Sequence, residues 1–394
     1  MSNESAVRAG LIDQARAKHV NVGLSFSKHA LSKCVGVCIA VLIAACTFYV
    51  LFYAEDDFSY DYIHYIRYFE TLAEVGVQEL FDGLRSEFPL PYIRVPPSGL
   101  FEVGFGALAW ALLYLFEPGT AYALIASGSV LARLIILRAL NVSWTWIALV
   151  NIYAITMFEA NAIRLGCAFT LVLFGVLASV KNRSVWCVGG AFIFGALFHL
   201  QSIFFSLPFF IAFHLLRLVK LTRLKLLAAL FSVSFCSVLL VEMLYFLRFS
   251  KLEDYAGRSS GAVGVNSVSV LGVIAMIVAV AQVFVGSRNG CREGGSASSF
   301  RTWVAVLFAT LPALILLLLG GAMGAIGDRV WQFAFLVFSC VAVVKFESGH
   351  LGREARLVIV VLMLVSIINV VFRYPLSNFF SPIVPYTHFD TRFI

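Results

Sequence analysis

Charge is what this sequence has least of. Asp, Glu, Lys and Arg together make up 13% of it, about half the roughly 25% of an average soluble domain. That scarcity excludes a soluble globule, a solvated disordered chain and a nucleic-acid-binding domain, each of which needs a charged surface. No nucleic-acid partner is expected. Also missing are the phosphate-cradling P-loop, the HExxH zinc helix and any CxxC pair. ATP-driven transport and the HExxH zinc hydrolases therefore have no support. No repeat with a period of roughly 20–50 residues is visible, and no soluble domain is appended.

Cysteine offers little more. Of the eight, all but Cys291 lie within or at the edge of apolar segments, so a disulfide framework is not expected. Cys34 and Cys38 share a helix face, but two thiols are not a metal site. Neither a metal nor a cofactor is expected.

What the chain does have is apolar length. Of its 394 residues 61% are hydrophobic, and the mean hydropathy is +0.92. A spanning helix takes about 20 residues, so the supply fits roughly ten to twelve spans. A membrane barrel is unsuitable, because its strands alternate apolar and polar residues whereas 303–319 reads WVAVLFATLPALILLLL. The first apolar run, from about Cys34 to Ala54, is too long for a cleavable signal and lacks a small-residue cleavage site. The expected fold is all-α: a polytopic integral membrane bundle of about 11 spans.

Charge supplies the orientation. Residues 1–33 carry Arg8, Arg16, Lys18, Lys28 and Lys33 against Glu4 and Asp13, so they read as a cytoplasmic N-terminal segment. The membrane domain runs over 34–372, and 373–394 form a periplasmic tail. Within it, 55–98 hold nine of the 22 acidic residues and read as a periplasmic loop. There Tyr62, Tyr65, Phe69, Leu72, Val75 and Leu80 recur at helical spacing, which predicts an amphipathic helix over about 60–82 lying on the outer leaflet. Pro89, Pro91, Pro96 and Pro97 end it. Apolar segments follow at 99–116, 120–138, 143–158, 163–180, 185–216 and on to 357–372.

Segment 185–216 is ambiguous. At about 48 Å as a helix it is long for one span and short for two. One tilted span kinked near Pro208 leaves Lys181 and Arg183 outside, against the charge rule. Two short spans turning near His199 put them inside, and then a segment between 99 and 158 must be re-entrant. The charge rule favours the second arrangement.

On that topology Asp61, Glu102, Arg164, His199, Arg258 and Arg329 all fall near the outer surface, where charge is costly and marks function. Arginine grips phosphate oxygens with two donors, and a carboxylate or histidine takes a proton from an attacking hydroxyl. Such a set suits a lipid-linked diphosphate. Each residue also has a plain reading. Arg164 is then a span-end anchor, Arg329 the partner of Asp328, and Arg258 part of a solvated loop. His199 is a buried hydrogen-bonded histidine, Asp57 and Asp61 solvate the loop helix, and Glu102 is an acid at a helix start. Tyr62 and Tyr65 either stack on sugars or form an interfacial belt.

Four elements resemble a known family. Asp61-Tyr62-Ile63-His64-Tyr65-Ile66-Arg67-Tyr68-Phe69 is similar to the D-Y-x-x-Y-x-x-x-F element of EpsG-like proteins, which Wzy-type polysaccharide polymerases share. Glu102-Val103-Gly104-Phe105 resembles their E-x-G-[YF], and Asn161 to Ala168, around Arg164, their R-x-x-[IL]-A. Ala196-Leu197-Phe198-His199-Leu200-Gln201-Ser202 resembles A-x-x-F-H-x-S. The resemblance implies a multi-pass polymerase of the bacterial inner membrane, joining undecaprenyl-diphosphate-linked oligosaccharides without nucleotide sugar, ATP or metal. It implies Asp61, Glu102 and His199 as catalytic residues, Arg164 and Arg329 on the diphosphate, and Asp57, Tyr62 and Tyr65 on the substrate; Arg258 joins the diphosphate-binding set by its place in an outer loop. Partners would be membrane lipid, a chain-length regulator and a flippase. Two alternatives stand beside it. One is a ligase or other C-type glycosyltransferase, whose acidic first loop and proline pair Asp57, Asp61 and Pro96-Pro97 resemble. The other is a transporter, against which stand the absence of inverted repeats and the crowding of acids into one loop.

Overall fold

The computed structural model describes residues 34–53, 62–63, 65–74, 92–95, 99–140, 142–155, 158, 162–181, 183–218, 304–310, 330–331, 333–338, 340, 361 and 364. Asp57, Asp61, Arg258, Arg329 and the segments 1–33 and 373–394 lie outside them. The described residues are helical apart from one antiparallel hairpin, β1 (Tyr92–Val95) and β2 (Gly99–Glu102), which pairs Tyr92 with Glu102 and Val95 with Gly99. It falls among the prolines expected to end the loop helix.

Among the described residues three helices are long and apolar enough to cross a membrane: α1 (Cys34–Phe52), α4 (Pro118–Ala139) and α6 (Ile163–Val180). Between them lie α2, described at 62–63 and 65–74, α3 (Val103–Leu113) and α5 (Trp144–Ala154). After α6 come α7 (Val185–Phe198), a single tight turn Leu200–Ser202, and α8 (Ile203–Leu218). Pro118 opens α4 where a missing N–H costs nothing, and the Ser184 side chain caps α7 by accepting from the Cys187 N–H at 3.3 Å.

The long apolar segment 185–216 is therefore two helices, and the break is at His199 rather than Pro208, which α8 carries in its interior. His199 adopts an extended backbone, yet its N–H donates to the Gly195 carbonyl and its own carbonyl accepts from Ser202, each at 2.9 Å. The break thus keeps both backbone groups of His199 hydrogen-bonded. Phe192 meets Phe209 edge to face at 5.4 Å, so α8 folds back along α7 as a hairpin with His199 at its tip.

Helices α6 and α7 pack closely and run antiparallel. A Cβ on Gly175 would lie 2.5 Å from the Phe192 ring, and one on Gly195 3.3 Å from Val172 and 3.6 Å from the Ala168 carbonyl oxygen. Helix α4 runs in the same direction as α6. Its first turns share a core cluster with Ile163 and Cys167, and Ser129 further along hydrogen-bonds Thr170 at 3.1 Å. This arrangement brings Arg138, Lys181 and Arg183 to one end of the bundle and Arg164 and His199 to the other. Helix α3 stays at the second end. Its start packs on Leu197, and Phe105 joins the cluster that holds Ala121 and Tyr122 at the start of α4. At about 16 Å it is too short to cross.

Phenylalanine fills the interior. Phe169 meets Phe333 at 5.7 Å and Phe333 meets Phe205 at 5.8 Å, both edge to face, which ties residues 333–338 to α6 and α8. A fully buried Arg133 lies within this core. Its Nε donates to the Asn151 Oδ1 at 2.9 Å, and its guanidinium rests 5.7 Å from the Phe169 ring centre, so one cation joins α4, α5 and α6.

That pair generates a stability prediction. Asn151→Leu removes an acceptor from a buried charge and should lower stability in detergent by about 1–3 kcal/mol. The double variant Arg133→Leu/Asn151→Leu should recover part of the loss, since it leaves no buried charge behind. Thermal unfolding of the purified variants checks both, and an Asn151→Leu protein as stable as the wild type overturns the account.

Candidate functional site

The α6–α7 register sets Arg164 and His199 level with one another. Counting outward from the Ala168–Gly195 contact, four residues back along α6 and four forward along α7 reach this pair. Both emerge where a helix is interrupted: Arg164 in the first turn of α6, His199 between α7 and the turn that follows.

The other elements close on the same place. Arg164 is half-buried, its Nε donates to the Tyr65 hydroxyl at 3.1 Å, and its guanidinium lies 5.7 Å from the Tyr65 ring centre. That contact joins residues 99 apart in sequence. Tyr65 in turn packs on Phe105 and Tyr122, each at 5.9 Å. Gly104, one residue before Phe105, lies against the Leu197 carbonyl two residues before His199, with room for no Cβ: one would approach the oxygen to 2.9 Å. Phe198 packs on the same aromatic cluster. Stretches from all four family-like elements therefore meet at one end of the bundle.

The amphipathic stripe of α2 does not face lipid here. Tyr62, Tyr65, Tyr68, Phe69 and Leu72 are all buried against α1, α3 and the start of α4, while Arg67, Glu70 and Glu74 are exposed. The expectation of a helix resting on the outer leaflet is corrected: the protein itself supplies the apolar surface. The two tyrosines change task with it. Tyr62 is 4% exposed, donates to the Leu51 carbonyl at 3.3 Å and meets Tyr122 edge to face at 5.1 Å. Tyr65 is 5% exposed. Neither ring offers a face on which a sugar can stack, and the Tyr65 hydroxyl accepts from the Arg164 Nε instead.

His199 is 6% exposed, and its Nε2 lies 3.2 Å from the Gln201 Oε1. That oxygen only accepts, so the Nε2–H donates to it. Glu102 ends β2 directly before α3, within two residues of the Gly104–Leu197 contact. Among the described residues no group of three or more His, Cys, Asp or Glu stands close enough to hold a metal.

Chemically the arrangement offers a guanidinium oriented by a phenol, beside an imidazole oriented by an amide. A cation held this way binds an anionic oxygen in a fixed geometry. Neither Gly104 nor Gln201 stands out in the sequence, although both lie inside the quoted elements, and Arg133 belongs to no motif.

The model of the EpsG family matches residues 39–388, most of the chain and all four elements. No curated protein and no solved structure matches it.

Two predictions follow from the packing. Tyr65→Phe keeps the ring against Phe105 and Tyr122 but removes the acceptor on Arg164, a charge-assisted bond of about 1.5–3 kcal/mol. Phenylglyoxal modification of Arg164, read by mass spectrometry, should then run roughly tenfold faster, and an unchanged rate counts against the contact. Gly104→Ala forces the α3 start away from the hairpin tip and should cost about 1–3 kcal/mol, measured as a fall in Tm.

Proposed function

The chain belongs to the EpsG family, and from that premise we propose that it is a polysaccharide polymerase. It joins undecaprenyl-diphosphate-linked oligosaccharide repeat units into O-antigen, capsule or exopolysaccharide at the periplasmic face of a bacterial inner membrane. The observation that carries this reading is the Arg164–Tyr65 contact at the meeting of the four elements.

The charge distribution supports the orientation. Arg138, Lys181 and Arg183 share one end of the bundle, which becomes the cytoplasmic end by the positive-inside rule. Arg164 and His199 then face the periplasm with the acid-rich loop 55–98. Helix α3 is the re-entrant segment that this topology requires, and the remaining segments complete about 11 spans of a C-type glycosyltransferase-like membrane domain.

In the proposed reaction the growing chain on undecaprenyl diphosphate is the donor. A terminal hydroxyl of a new lipid-linked unit attacks its anomeric carbon. The bond to the diphosphate oxygen breaks, that oxygen takes the electron pair, and the hydroxyl proton passes to a base, with Asp61, Glu102 and His199 as the candidates. Negative charge grows on the departing diphosphate. Arg164 stabilises it more strongly than the ground state because its guanidinium is already oriented, and Arg329 and Arg258 are proposed to assist. Asp57 belongs to the acceptor side. A chain-length regulator and a flippase are the proposed partners.

The test is genetic and visible on a gel. Deletion should leave lipid-linked or core-linked single units with no ladder, whereas loss of all attached glycan points to a ligase and loss of export to a transporter. Arg164→Lys retains charge but loses the two-pronged fork. With normal protein levels, it and Arg164→Ala should cut polymerisation on the order of 10²–10³-fold, as loss of one oriented donor does in oxyanion sites. A full ladder from Arg164→Ala removes this residue from the mechanism.

A further inference from the structure

An apolar groove of about 600 Å³ opens between α3, α4, α6 and α7, within the range of small-molecule sites. Leu108, Leu112, Ile125, Leu171, Phe194 and Phe198 give it its character, and Ser129 and Thr170 are its polar lining residues. Two of the lining residues fix where it leads. Cys167 lies one helical turn beyond Arg164 on α6, and Phe198 is the neighbour of His199. Along α6 the groove extends from Cys167 to Leu171, or from about 4.5 to about 10.5 Å inward of Arg164. Arg164, one turn of α6 beyond the Cys167 end of the groove, and the apolar groove inward of it match a molecule with an anionic head and a single long apolar tail.

We propose that this groove binds the head-proximal isoprene units of the polyprenyl diphosphate substrate, with the diphosphate at Arg164. The identity of the lipid rests on the polymerase reading; the continuity of groove and cation does not. Burial of the first isoprene units anchors the diphosphate at a fixed depth, so that the anomeric carbon is held at the level of Arg164 and His199. Tail binding of this kind spends remote contact energy on position at the reacting bond.

Gly128 provides the test. It lines the groove, and a Cβ built there meets nothing within 4 Å. Gly128→Phe therefore fills the groove without a clash at its root, and it replaces a poor helix former with a better one. Gly190→Phe is the matched control, since Gly190 on α7 also meets nothing within 4 Å and does not line the groove. The probe is a polyprenyl diphosphate with a diazirine near its head, added to the full-length protein in nanodiscs, with adducts mapped by mass spectrometry.

Adducts are expected at α3, α4, α6 and α7 lining residues and to be displaced by undecaprenyl diphosphate. They should fall at least about tenfold in Gly128→Phe, the loss of roughly two buried methylenes or more, and persist in Gly190→Phe. Equal labelling of Gly128→Phe overturns the proposal. So does equal labelling by a phospholipid carrying the same diazirine that undecaprenyl diphosphate fails to displace, which marks the groove as filled by bulk lipid. The assay uses no sugar and no polymerisation. A deletion strain that keeps its long chains, together with groove labelling as expected, refutes the polymerase and leaves the groove as a polyprenyl diphosphate site.

Discussion

The site depends on how closely α6 and α7 approach. Between two helices in a bilayer there is little hydrophobic drive, because lipid tails are as apolar as leucine, so contact must come from shape. Gly175 admits the edge of Phe192 and Gly195 admits Val172, and these two fits lock one register. Shifting α7 by a turn would take Phe192 off Gly175 and Gly195 off Val172, and both fits would be lost. Because the register is locked, Arg164 at the start of one helix and His199 at the end of the other stand level.

A second consequence concerns the backbone. A chain that breaks a helix inside hydrocarbon must satisfy the freed groups internally. At His199 two such groups are satisfied locally, its N–H by Gly195 before the break and its carbonyl by Ser202 after it. The break presents a side chain at the hairpin tip. Gly104 then brings α3 against Leu197, and Phe105 carries the contact on to Tyr65, which holds Arg164. The chain of contacts runs from a helix break to an oriented guanidinium, and each link is a packing contact or a single hydrogen bond.

Arg133 belongs to a different part of the molecule. It is fully buried among phenylalanines, donates to Asn151 and rests on Phe169. A charge placed so deep weakens rather than strengthens the bundle unless its partners compensate. What it contributes is choice of partner: only an arrangement that brings α5 and α6 together beside α4 supplies both the amide and the ring.

Much of the helical skeleton was legible in the sequence. The apolar run 163–180 coincides with α6, and 120–138 differs from α4 by only a few residues, because polar residues punctuate both ends. The periodic tyrosines correctly announced a helix, and the charges around Lys181 favoured a turn near His199 over a kink at Pro208. The motif elements also named Arg164, Tyr65 and His199. Only the tertiary structure decided what those residues do to each other. The stripe on α2 reads the same whether it meets lipid or protein, and it meets α3 and α4. The apolar segment 99–116 reads as a span, yet α3 begins and ends on one side of the bundle. The reason is physical. Sequence periodicity reports which residues avoid water, and in a membrane both lipid and protein interior satisfy that demand, so the choice between them is made by shape.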